Sequence, residues 1–483
     1  MDYCSNIDHK TIANSLTWKT SERIISQGMS LIIQVVLARL LVPDDFGTLA
    51  IVAAITNYAA VFVQSGLATA IVQKEDLDDL DISTLLIASL GTAFLFYILL
   101  FAAAPIIAAY YDSSDLVLII RILSLILFLN AVNSVQTAIL TRRMQFKILF
   151  FRSLIAVPIS GTVGILMAQM QFGVWALVAQ QLSNVLIVVI VMSIGTDMRI
   201  KPAFSIQRAK KIYAFSGKIL ISSLVSGLYD ALRTMTIGRK YSSEALAYYD
   251  KAYTYSFYLV QIINGSITSV LLPVFSRKQT NLDELRTMAR KSTSLAAFVM
   301  FPILLGVAAI AKPLISILLT EKWIACVPYL VIFCILRLPG CVMSIDKQVY
   351  YALGRSGINL IYESVLCIVN LSVLIFLMPY GPFAIAVGAM LTELLGCAVI
   401  FFISAKVYGY TLVQRFNDLG KAVLNSTLMS LAVWRIGFLP FSAVPVLFIQ
   451  ILSGVAIYII LARLTRDKNI NNSLLIIRNV IKK

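Results

Sequence analysis

Charged side chains are scarce in this sequence. Asp, Glu, Lys and Arg together make up 13% of its 483 residues, whereas a soluble domain has about 25%. Hydrophobic residues make up 59%, and the mean hydropathy is +0.87. Because such a chain cannot cover a water-facing surface with polar side chains, we exclude a soluble globular protein and predict an integral membrane protein.

Residues that bind metals or carry out catalysis are also few. His9 is the only histidine, and the six cysteines contain no CxxC pair. Five of the cysteines lie in or beside apolar segments, which is typical of small core residues. The sequence has no Walker A loop and no HExxH motif. We therefore predict no catalytic residues, no metal site and no cofactor, and we predict that the protein is not an enzyme.

The apolar residues do not alternate with polar ones, as they do in the strands of a membrane β-barrel. They form continuous runs of the length that an α-helix needs to cross a bilayer, about 20 residues. We predict an all-α membrane protein of about fourteen transmembrane helices, arranged as two parallel six-helix bundles and a C-terminal helix pair. The segments lie near residues 20–40, 48–67, 82–107, 116–138, 149–170, 173–195, 212–234, 252–274, 292–318, 324–345, 359–378, 382–404, 419–437 and 443–463.

The stretch VPDDFG separates the first two segments. Proline and glycine end helices, and charged residues favour water. We therefore predict that Pro43 to Gly47 form the turn of a short outer hairpin.

The net charge of +16 comes from 40 basic residues against 24 acidic ones. In membrane proteins, basic residues accumulate in cytoplasmic loops. Here most of them lie at the two termini and after the even-numbered segments, as in the clusters 142–152 and 199–211. We predict that both termini are cytoplasmic and that the charge reflects topology, with no nucleic-acid partner.

Two pairs of similar stretches suggest an internal duplication. RLLVPDDFGTLA from Arg39 resembles RKYSSEALAYYD from Arg239 at an offset of 200 residues, and FGVWALVAQQL from Phe172 resembles YGPFAIAVGAM from Tyr380 at an offset of 208. Repeats of six segments would enter the membrane from the same side. We predict a first bundle at 1–195, a cytoplasmic linker at 196–211, a second bundle at 212–405, and two additional helices with a cytoplasmic tail at 406–483.

Polar residues form one stripe on the first segment and one on the seventh. A basic side chain at the bilayer centre costs about 2.5–3.5 kcal/mol on insertion scales, so it usually faces protein or water. Each stripe spans about 80° at 100° per residue. The members are Lys19, Arg23, Gln27, Ser30 and Gln34 in the first segment, and Lys218, Ser222, Ser226, Tyr229 and Arg233 in the seventh. We predict that the stripes line a polar lumen; the alternative is that the basic residues only anchor helix ends at the membrane surface.

Further polar side chains interrupt apolar segments in both halves. The amides are Asn57 and Gln64, Asn133 and Gln136, Gln180 and Asn184, Gln261 and Asn264, and Asn370. Each can bind a neighbouring helix or a polar ligand. Asp230, Glu363 and Glu393 are candidates for coupling transport to a proton or a cation, although Glu393 could instead pair with an arginine such as Arg337.

Two stretches carry a family resemblance. VLARLLVPDDFGTLAIV (residues 36–52) and FVQSGLATAIVQKED (62–76) resemble the patterns LARLLxPxDFG and DFGLxxALIQRKD of polysaccharide exporters, the Wzx-type flippases of lipid-linked oligosaccharides. These belong to the multidrug/oligosaccharidyl-lipid/polysaccharide superfamily, and the branch of the colanic acid exporter is the most similar. Gln64 stands where the second pattern has an acidic residue, so no role of that acid is carried over.

The resemblance implies two six-helix bundles around a central cavity that opens alternately to the two sides of a bacterial plasma membrane. It implies a substrate of undecaprenyl diphosphate carrying an oligosaccharide repeat unit, which is moved to the outer leaflet for O-antigen, capsule or exopolysaccharide synthesis. The candidate residues for the diphosphate and the lumen are Arg23, Arg39, Lys218, Arg233, Gln27 and Gln34. The candidates for sugar contact are Asn57, Gln64, Gln180, Asn184, Gln261 and Asn264. The expected partners are this glycolipid, the bilayer and the polysaccharide polymerase machinery.

Two other functions remain open at this point. A cation-coupled multidrug exporter of the same superfamily would have a lumen dominated by carboxylates and aromatic rings, whereas the two stripes are cationic. A multispanning glycan polymerase or ligase generally carries a large outer loop with catalytic polar residues, which this sequence lacks.

Overall fold

The computed structural model describes residues 9–64, 78–195, 203–467 and 469–470. Within these ranges all regular structure is helical, with sixteen α-helices, two short 3₁₀-helices and no β-strand. The prediction of an all-α protein is confirmed.

The helices follow one another with short connections. In the N-terminal half they are α1 (His9–Leu40), α2 (Pro43–Gln64), α3 (Asp79–Tyr110), α4 (Asp115–Leu123), α5 (Ile126–Arg142), α6 (Phe146–Gln169), α7 (Val174–Gly195) and α8 (Ile206–Lys240). In the C-terminal half they are α9 (Ser243–Ser276), α10 (Leu282–Ala309), α11 (Ala311–Leu319), a 3₁₀-helix (Glu321–Cys326), α12 (Val327–Ala352), α13 (Ser356–Leu377), a 3₁₀-helix (Met378–Tyr380), α14 (Pro382–Tyr408), α15 (Leu412–Ile436) and α16 (Ala443–Leu464).

The helices make this a multi-pass membrane protein. Eleven helical stretches in the described ranges are long and apolar enough to cross a bilayer. Large apolar side chains such as Ile106, Ile194 and Ile375 are 72–82% exposed, as expected of a surface in contact with lipid. Helices α8, α9 and α15, which coincide with predicted segments seven, eight and thirteen, are 35, 34 and 25 residues long but more polar. They would bring the number to fourteen, which stays a prediction.

The predicted turn at Pro43 to Gly47 is wrong, because these residues begin α2. Proline suits the first helical position, where its missing N–H needs no partner. Asp44 and Asp45 follow in the first turn, where the helix dipole favours negative charge. Asp45 also accepts a hydrogen bond at 3.3 Å from the amide of Val42, just before the helix.

Packing divides the chain into two compact units, unit 1 (Met1–Ala247) and unit 2 (Tyr248–Lys483). In unit 1, α2 is the central helix: it contacts α3, α4, α5, α7 and α8, and ten of its 22 residues are buried. Helix α6 packs along α1 and α7. Unit 1 therefore includes α8, the seventh predicted segment, whereas the boundaries expected from the sequence repeat stay a prediction.

In unit 2 the central helix is α12. It packs against α10, α11, α13 and α14, and 14 of its 26 residues are buried. Aromatic rings join it to α9, with the ring centroid of Phe333 at 4.9 Å from Tyr249 and 5.4 Å from Tyr253. Helix α15 packs against α10 and α16, which makes the C-terminal helix pair part of this unit.

Candidate substrate-binding site

Unit 1 contains a polar cavity of about 260 Å³. Four helices line it, α1, α5, α6 and α7, and they contribute six polar side chains and three valines. The lining residues are Glu22, Ser26, Asn133, Arg152, Ser153, Val157, Asn184, Val185 and Val188. The polar groups are therefore collected at one place within an apolar bundle.

The sequence spacing explains how the side chains converge. Residues four apart lie on one face of a helix. Glu22 and Ser26 are related in this way on α1, Ser153 and Val157 on α6, and Asn184 and Val188 on α7. Each helix therefore turns one short stripe towards the same space.

Arg152 is held in the cavity by neutral groups. Its Nη1 donates to Asn133 Oδ1 at 3.2 Å and to Thr137 Oγ1 at 3.1 Å, both on α5, and lies 3.0 Å from Met192 Sδ. Its Nε is buried and has no hydrogen-bond partner among the described residues. No ion pair in the described ranges includes Arg152. A guanidinium in this position can bind an anion.

The other polar groups of the cavity are donors and acceptors suited to hydroxyl groups. Glu22 Oε1 accepts a hydrogen bond from Ser153 Oγ at 3.1 Å, and Asn184 Nδ2 donates to Ser160 Oγ at 3.0 Å. Both side chains keep further oxygen atoms that can accept hydrogen bonds. The cavity thus combines one guanidinium with one carboxylate, two amides and two hydroxyls.

The predicted diphosphate and lumen residues on α1 do not line this cavity. Arg23 and Arg39 are exposed, and they are about 24 Å apart along the helix axis at 1.5 Å per residue. Gln27 and Gln34 are half-buried, and Gln27 Oε1 has no hydrogen-bond partner in the described ranges. Lys218 belongs to α8, and its side chain lies outside the described part of the chain.

Arg233 forms an ion pair within α8. Its Nη1 donates to Asp230 Oδ1 at 2.7 Å, and its guanidinium lies 5.5 Å from the ring centroid of Tyr229. The side chain of Arg233 is 4% exposed, whereas that of Asp230 is 52% exposed. A residue expected to bind diphosphate is thus paired with one expected to couple transport to an ion.

The other coupling candidates are in unit 2. Glu363 on α13 pairs with Lys347 on α12 and is half exposed. Glu393 is half-buried on α14. The guanidinium of Arg337 lies over the rings of Tyr253 and Phe257, at 4.5 and 5.2 Å from their centroids. None of the ion pairs in the described ranges joins it to Glu393.

Of the predicted sugar contacts, Asn184 lines the cavity and the others lie elsewhere. Asn57 is exposed, and Gln64 is the last residue of α2. Gln180 and Gln261 are half-buried on α7 and α9. Asn264 accepts a hydrogen bond at 2.8 Å from Ser344 on α12, so this amide joins two helices.

Glu22 and Arg152 are not among the site residues predicted from the sequence. Because Arg152 follows the basic residues of the α5–α6 connection, the sequence predicts that it belongs to that connection. Because α6 begins at Phe146, Arg152 lies almost two turns inside the helix. Its position within the apolar run that starts near residue 149 was the available signal.

A bundle of membrane-spanning helices with polar groups collected inside it is the architecture of a membrane transporter. The sequence profile of the polysaccharide biosynthesis protein family matches residues 36–328, more than half of the chain, and the chain belongs to this family. The family resemblance given by the two N-terminal stretches is confirmed, and the protein is a transporter and not an enzyme.

Two relatives show the extent of the similarity. The teichuronic acid biosynthesis protein TuaB of Bacillus subtilis (strain 168) is 26% identical over 394 residues, which cover 79% of each chain. The lipopolysaccharide biosynthesis protein WzxC of Escherichia coli (strain K12) is 22% identical over 406 residues, which cover 83% of this chain and 82% of WzxC. Among solved structures, the lipid II flippase MurJ in an inward closed conformation has a TM-score of 0.78. The match covers 92% of this chain and 98% of MurJ at 16% sequence identity, so the two share a fold.

Proposed function

We propose that this protein flips undecaprenyl-diphosphate-linked oligosaccharide repeat units from the cytoplasmic to the outer leaflet of the bacterial plasma membrane by alternating access. The observation that carries the proposal is a polar cavity inside an apolar helix bundle, in a member of a polysaccharide biosynthesis family. Sugars need hydrogen-bonding partners on their way across a bilayer, because each polar group left without a partner in hydrocarbon costs several kcal/mol.

The diphosphate requires cations, and the proposal assigns this role to Arg23, Arg39, Lys218 and Arg233. The Arg233–Asp230 pair also suggests how binding and ion coupling are linked. A cation bound by Asp230 would release the guanidinium of Arg233 for the diphosphate. Glu363 and Glu393 remain the coupling candidates in unit 2.

The proposal includes the orientation of the protein in the plasma membrane. In this proposal both termini lie in the cytoplasm. Basic residues are concentrated at the termini and after the even-numbered segments, and such residues mark the cytoplasmic side of a membrane protein. The glycan then serves cell-surface polysaccharide synthesis, and contact with the polymerase machinery is expected on the outer side.

The experiment is to measure which leaflet holds the lipid-linked repeat unit in cells that lack this protein. We expect deletion to trap the glycolipid at the cytoplasmic face and the wild-type gene to restore access to the outer face. The variant Arg23→Ala plus Lys218→Ala is expected to reach wild-type levels in the membrane but to leave the glycolipid trapped. Arg143→Ala, at the end of α5, is the control and should restore access. An unchanged leaflet distribution on deletion contradicts the flippase function and directs the next measurement to drug efflux.

A further inference from the structure

We propose that the cavity of unit 1 binds a carboxylated sugar residue, such as a hexuronic acid, within the lipid-linked glycan. Arg152 would hold the sugar carboxylate, and Asn133, Asn184 and Glu22 would bind hydroxyl groups. This inference rests on the proposed function and adds the chemical class of the glycan to it.

The free edge of Arg152 has the geometry of a carboxylate site. Among its donors, only Nη1 has hydrogen-bond partners in the described ranges, and these are neutral. The Nε–Nη2 edge remains, and its Nε is buried without a partner. Two parallel N–H groups on a planar guanidinium match the two oxygens of a carboxylate. The carboxylate of Glu22 interacts electrostatically with this guanidinium but forms no hydrogen bond with it among the described residues, so this edge of Arg152 can bind a ligand that brings one negative charge.

The carboxylate of Glu22 is the second charge in the cavity, and it favours a sugar carboxylate over a diphosphate as the bound anion. Among the described residues, Glu22 and Arg152 are the only charged groups that line it. A diphosphate, which carries more than one negative charge, would be repelled by Glu22 at this short range. A sugar carboxylate brings one charge for Arg152, and its hydroxyl groups can donate to the carboxylate of Glu22. The pair of opposite charges therefore fits an acidic sugar better than it fits the diphosphate.

The size and the walls of the cavity fit a single sugar ring. Its 260 Å³ lie just below the range of pockets for drug-sized ligands, about 300–1,000 Å³. Val157, Val185 and Val188 form an apolar wall that can contact the C–H face of a ring. Amides and hydroxyls on the other lining positions can bind the ring hydroxyls.

The cavity lies in the half of unit 1 nearer to the α5–α6 connection. Arg152 comes six residues after the start of α6, and Glu22 is the second residue of the apolar stretch Ser21–Leu40 of α1, which packs against α6. In the proposed orientation this is the cytoplasmic half. The cavity is thus at the side from which a repeat unit assembled in the cytoplasm would enter.

The test uses the purified full-length protein in detergent and measures the shift of its thermal unfolding midpoint with ligand concentration. The probes are methyl glucuronide, methyl glucoside and inorganic pyrophosphate. We expect methyl glucuronide to bind and methyl glucoside to bind at least tenfold more weakly. Arg152→Gln should weaken the glucuronide affinity by about ten- to hundredfold, because a charge-assisted hydrogen bond is lost. Arg152→Lys should give an intermediate affinity, because lysine keeps the charge but not the planar fork.

A matched control is Arg121→Gln. Arg121 is also within unit 1, but it lies 4.0 Å from the ring centroid of Phe101 and does not line the cavity. Its replacement should leave the glucuronide affinity unchanged. Should Arg152→Gln fail to fold, Asn184→Ala provides a second variant, which removes a lining amide and is expected to lower the affinity for both sugars.

Three results would overturn the inference: equal affinities for glucuronide and glucoside, a glucuronide affinity that does not depend on Arg152 or Asn184, or preferential Arg152-dependent binding of pyrophosphate. The leaflet assay distinguishes a failure of this inference from a failure of the proposed flippase function. If the wild-type protein moves the glycolipid but does not bind glucuronide, the inference fails and the flippase function stands. If deletion leaves the leaflet distribution unchanged, the function itself fails.

Discussion

Gly47 lies where the first turn of α2 meets the start of α9 within unit 1. A Cβ atom built on Gly47 would lie 1.7 Å from the carbonyl oxygen of Ser243 and 2.3 Å from its carbonyl carbon. Both atoms belong to the backbone, so a side-chain rotation cannot relieve the contact. The two helices can approach this closely only because residue 47 has no side chain.

We expect Gly47→Ala to destabilise the protein by about 1–3 kcal/mol, the usual cost of overpacking a buried position. The measurement is the thermal unfolding midpoint of the purified protein in detergent. Gly28→Ala on α1 is the matched control, because among the described residues no atom outside its own stretch of helix backbone lies within 4 Å of the Cβ position there. Equal midpoints for the two variants would contradict the close approach of α2 and α9.

At the scale of residues, the sequence predicts which kinds of side chain are present better than it predicts where each side chain lies. Its polar residues within apolar runs predict a polar interior, which stays a prediction, and of the residues predicted to contact sugar Asn184 lines the cavity. Gly47, in contrast, is predicted from the sequence to end a helix. Its contact with Ser243 joins positions 196 residues apart, and a local sequence pattern does not show such a contact. Arg152 was assigned to a connection for a similar reason, since a helix start cannot be located to within a turn from composition.

At the scale of elements, α8 is fixed to unit 1 at both ends. At its start, Arg208 Nη1 donates to Asp78 at 2.5 and 2.6 Å and to Asp81 at 3.0 Å. At its end, Arg239 Nη1 donates to Asp112 Oδ2 at 2.9 Å, and Tyr111 donates to the carbonyl oxygen of Met235 at 3.1 Å. Because these contacts are at opposite ends of a 35-residue helix, we expect each to form without the other.

We expect Arg208→Gln to increase hydrogen–deuterium exchange of the backbone amides in the first turns of α8 and to leave the last turns unchanged. Arg239→Gln should have the opposite pattern, so each variant is the control for the other. Mass spectrometry of the exchanged protein in detergent measures both. Exchange that rises along the whole helix in either variant would show that the ends are not independent.

The pH dependence of the start of α8 follows from Asp78. The hydrogen bond from Arg208 lowers the pKa of Asp78 from 3.8 to about 2. Because the pKa is lower in the folded state, the contact contributes fully above about pH 4 and is lost as the pH falls through about 2. Between pH 8 and pH 5 we therefore expect the exchange of these amides, corrected for its intrinsic rate, to stay constant. A rise near pH 6 would contradict this origin.

Helix α15 is attached to unit 2 through a buried ion pair. Arg415 Nη2 donates to Asp346 Oδ1 at 2.6 Å, and the two side chains are 1% and 0% exposed. The same oxygen of Asp346 accepts hydrogen bonds from Tyr408 and Ser404 on α14. The guanidinium of Arg415 also lies 4.0 Å from the ring centroid of Tyr410.

We expect Asp346→Ala to cost about 3–5 kcal/mol, because it leaves the charge of Arg415 buried without its partner. The double variant Asp346→Leu plus Arg415→Met should unfold at a higher temperature than Asp346→Ala, since it removes both charges. Arg435→Ala, exposed at the other end of α15, is the control and should unfold like the wild type. A double variant less stable than the single one would show that the contact of Arg415 with the ring of Tyr410, and not its ion pair with Asp346, holds α15.

Element positions were predictable because the hydrophobic runs are long. Every one of the predicted segments overlaps a helix of the structure. The helix ends were less predictable: α2 starts five residues earlier than expected, and α5 is separated from α4 by Ser124 and Leu125 within one apolar run. Ends depend on local capping and packing, which hydrophobicity does not report.

At the scale of the whole molecule, the number and direction of the membrane passages can be tested with fusions. If the chain crosses fourteen times with both termini in the cytoplasm, alkaline phosphatase fused after residue 441, between α15 and α16, should be active. The same enzyme fused after residue 467 should be inactive. Green fluorescent protein at the two sites should show the reverse pattern, and equal phosphatase activity at both sites would contradict the predicted topology.

The arrangement of whole units could not be derived from the sequence. The repeats at offsets of 200 and 208 have counterparts in the structure, because α1 and α8 end at Leu40 and Lys240, and α7 and α14 begin at Val174 and Pro382. These offsets describe the order of helices along the chain. They do not say which helices pack together, and α8 packs within unit 1.

The ion pair between Asp346 and Arg415 also has a consequence for biosynthesis, because it can form only after both residues have been synthesised. The two residues are 69 positions apart, and Asp346 leaves the ribosome first. At a translation rate of about 5–20 residues per second, Arg415 is synthesised roughly 3–14 seconds after Asp346. During this interval Asp346 on α12 has no Arg415 to pair with. A chain truncated before α15 therefore never supplies the missing guanidinium, and membrane quality-control proteases should recognise such a fragment even though all its earlier helices are complete.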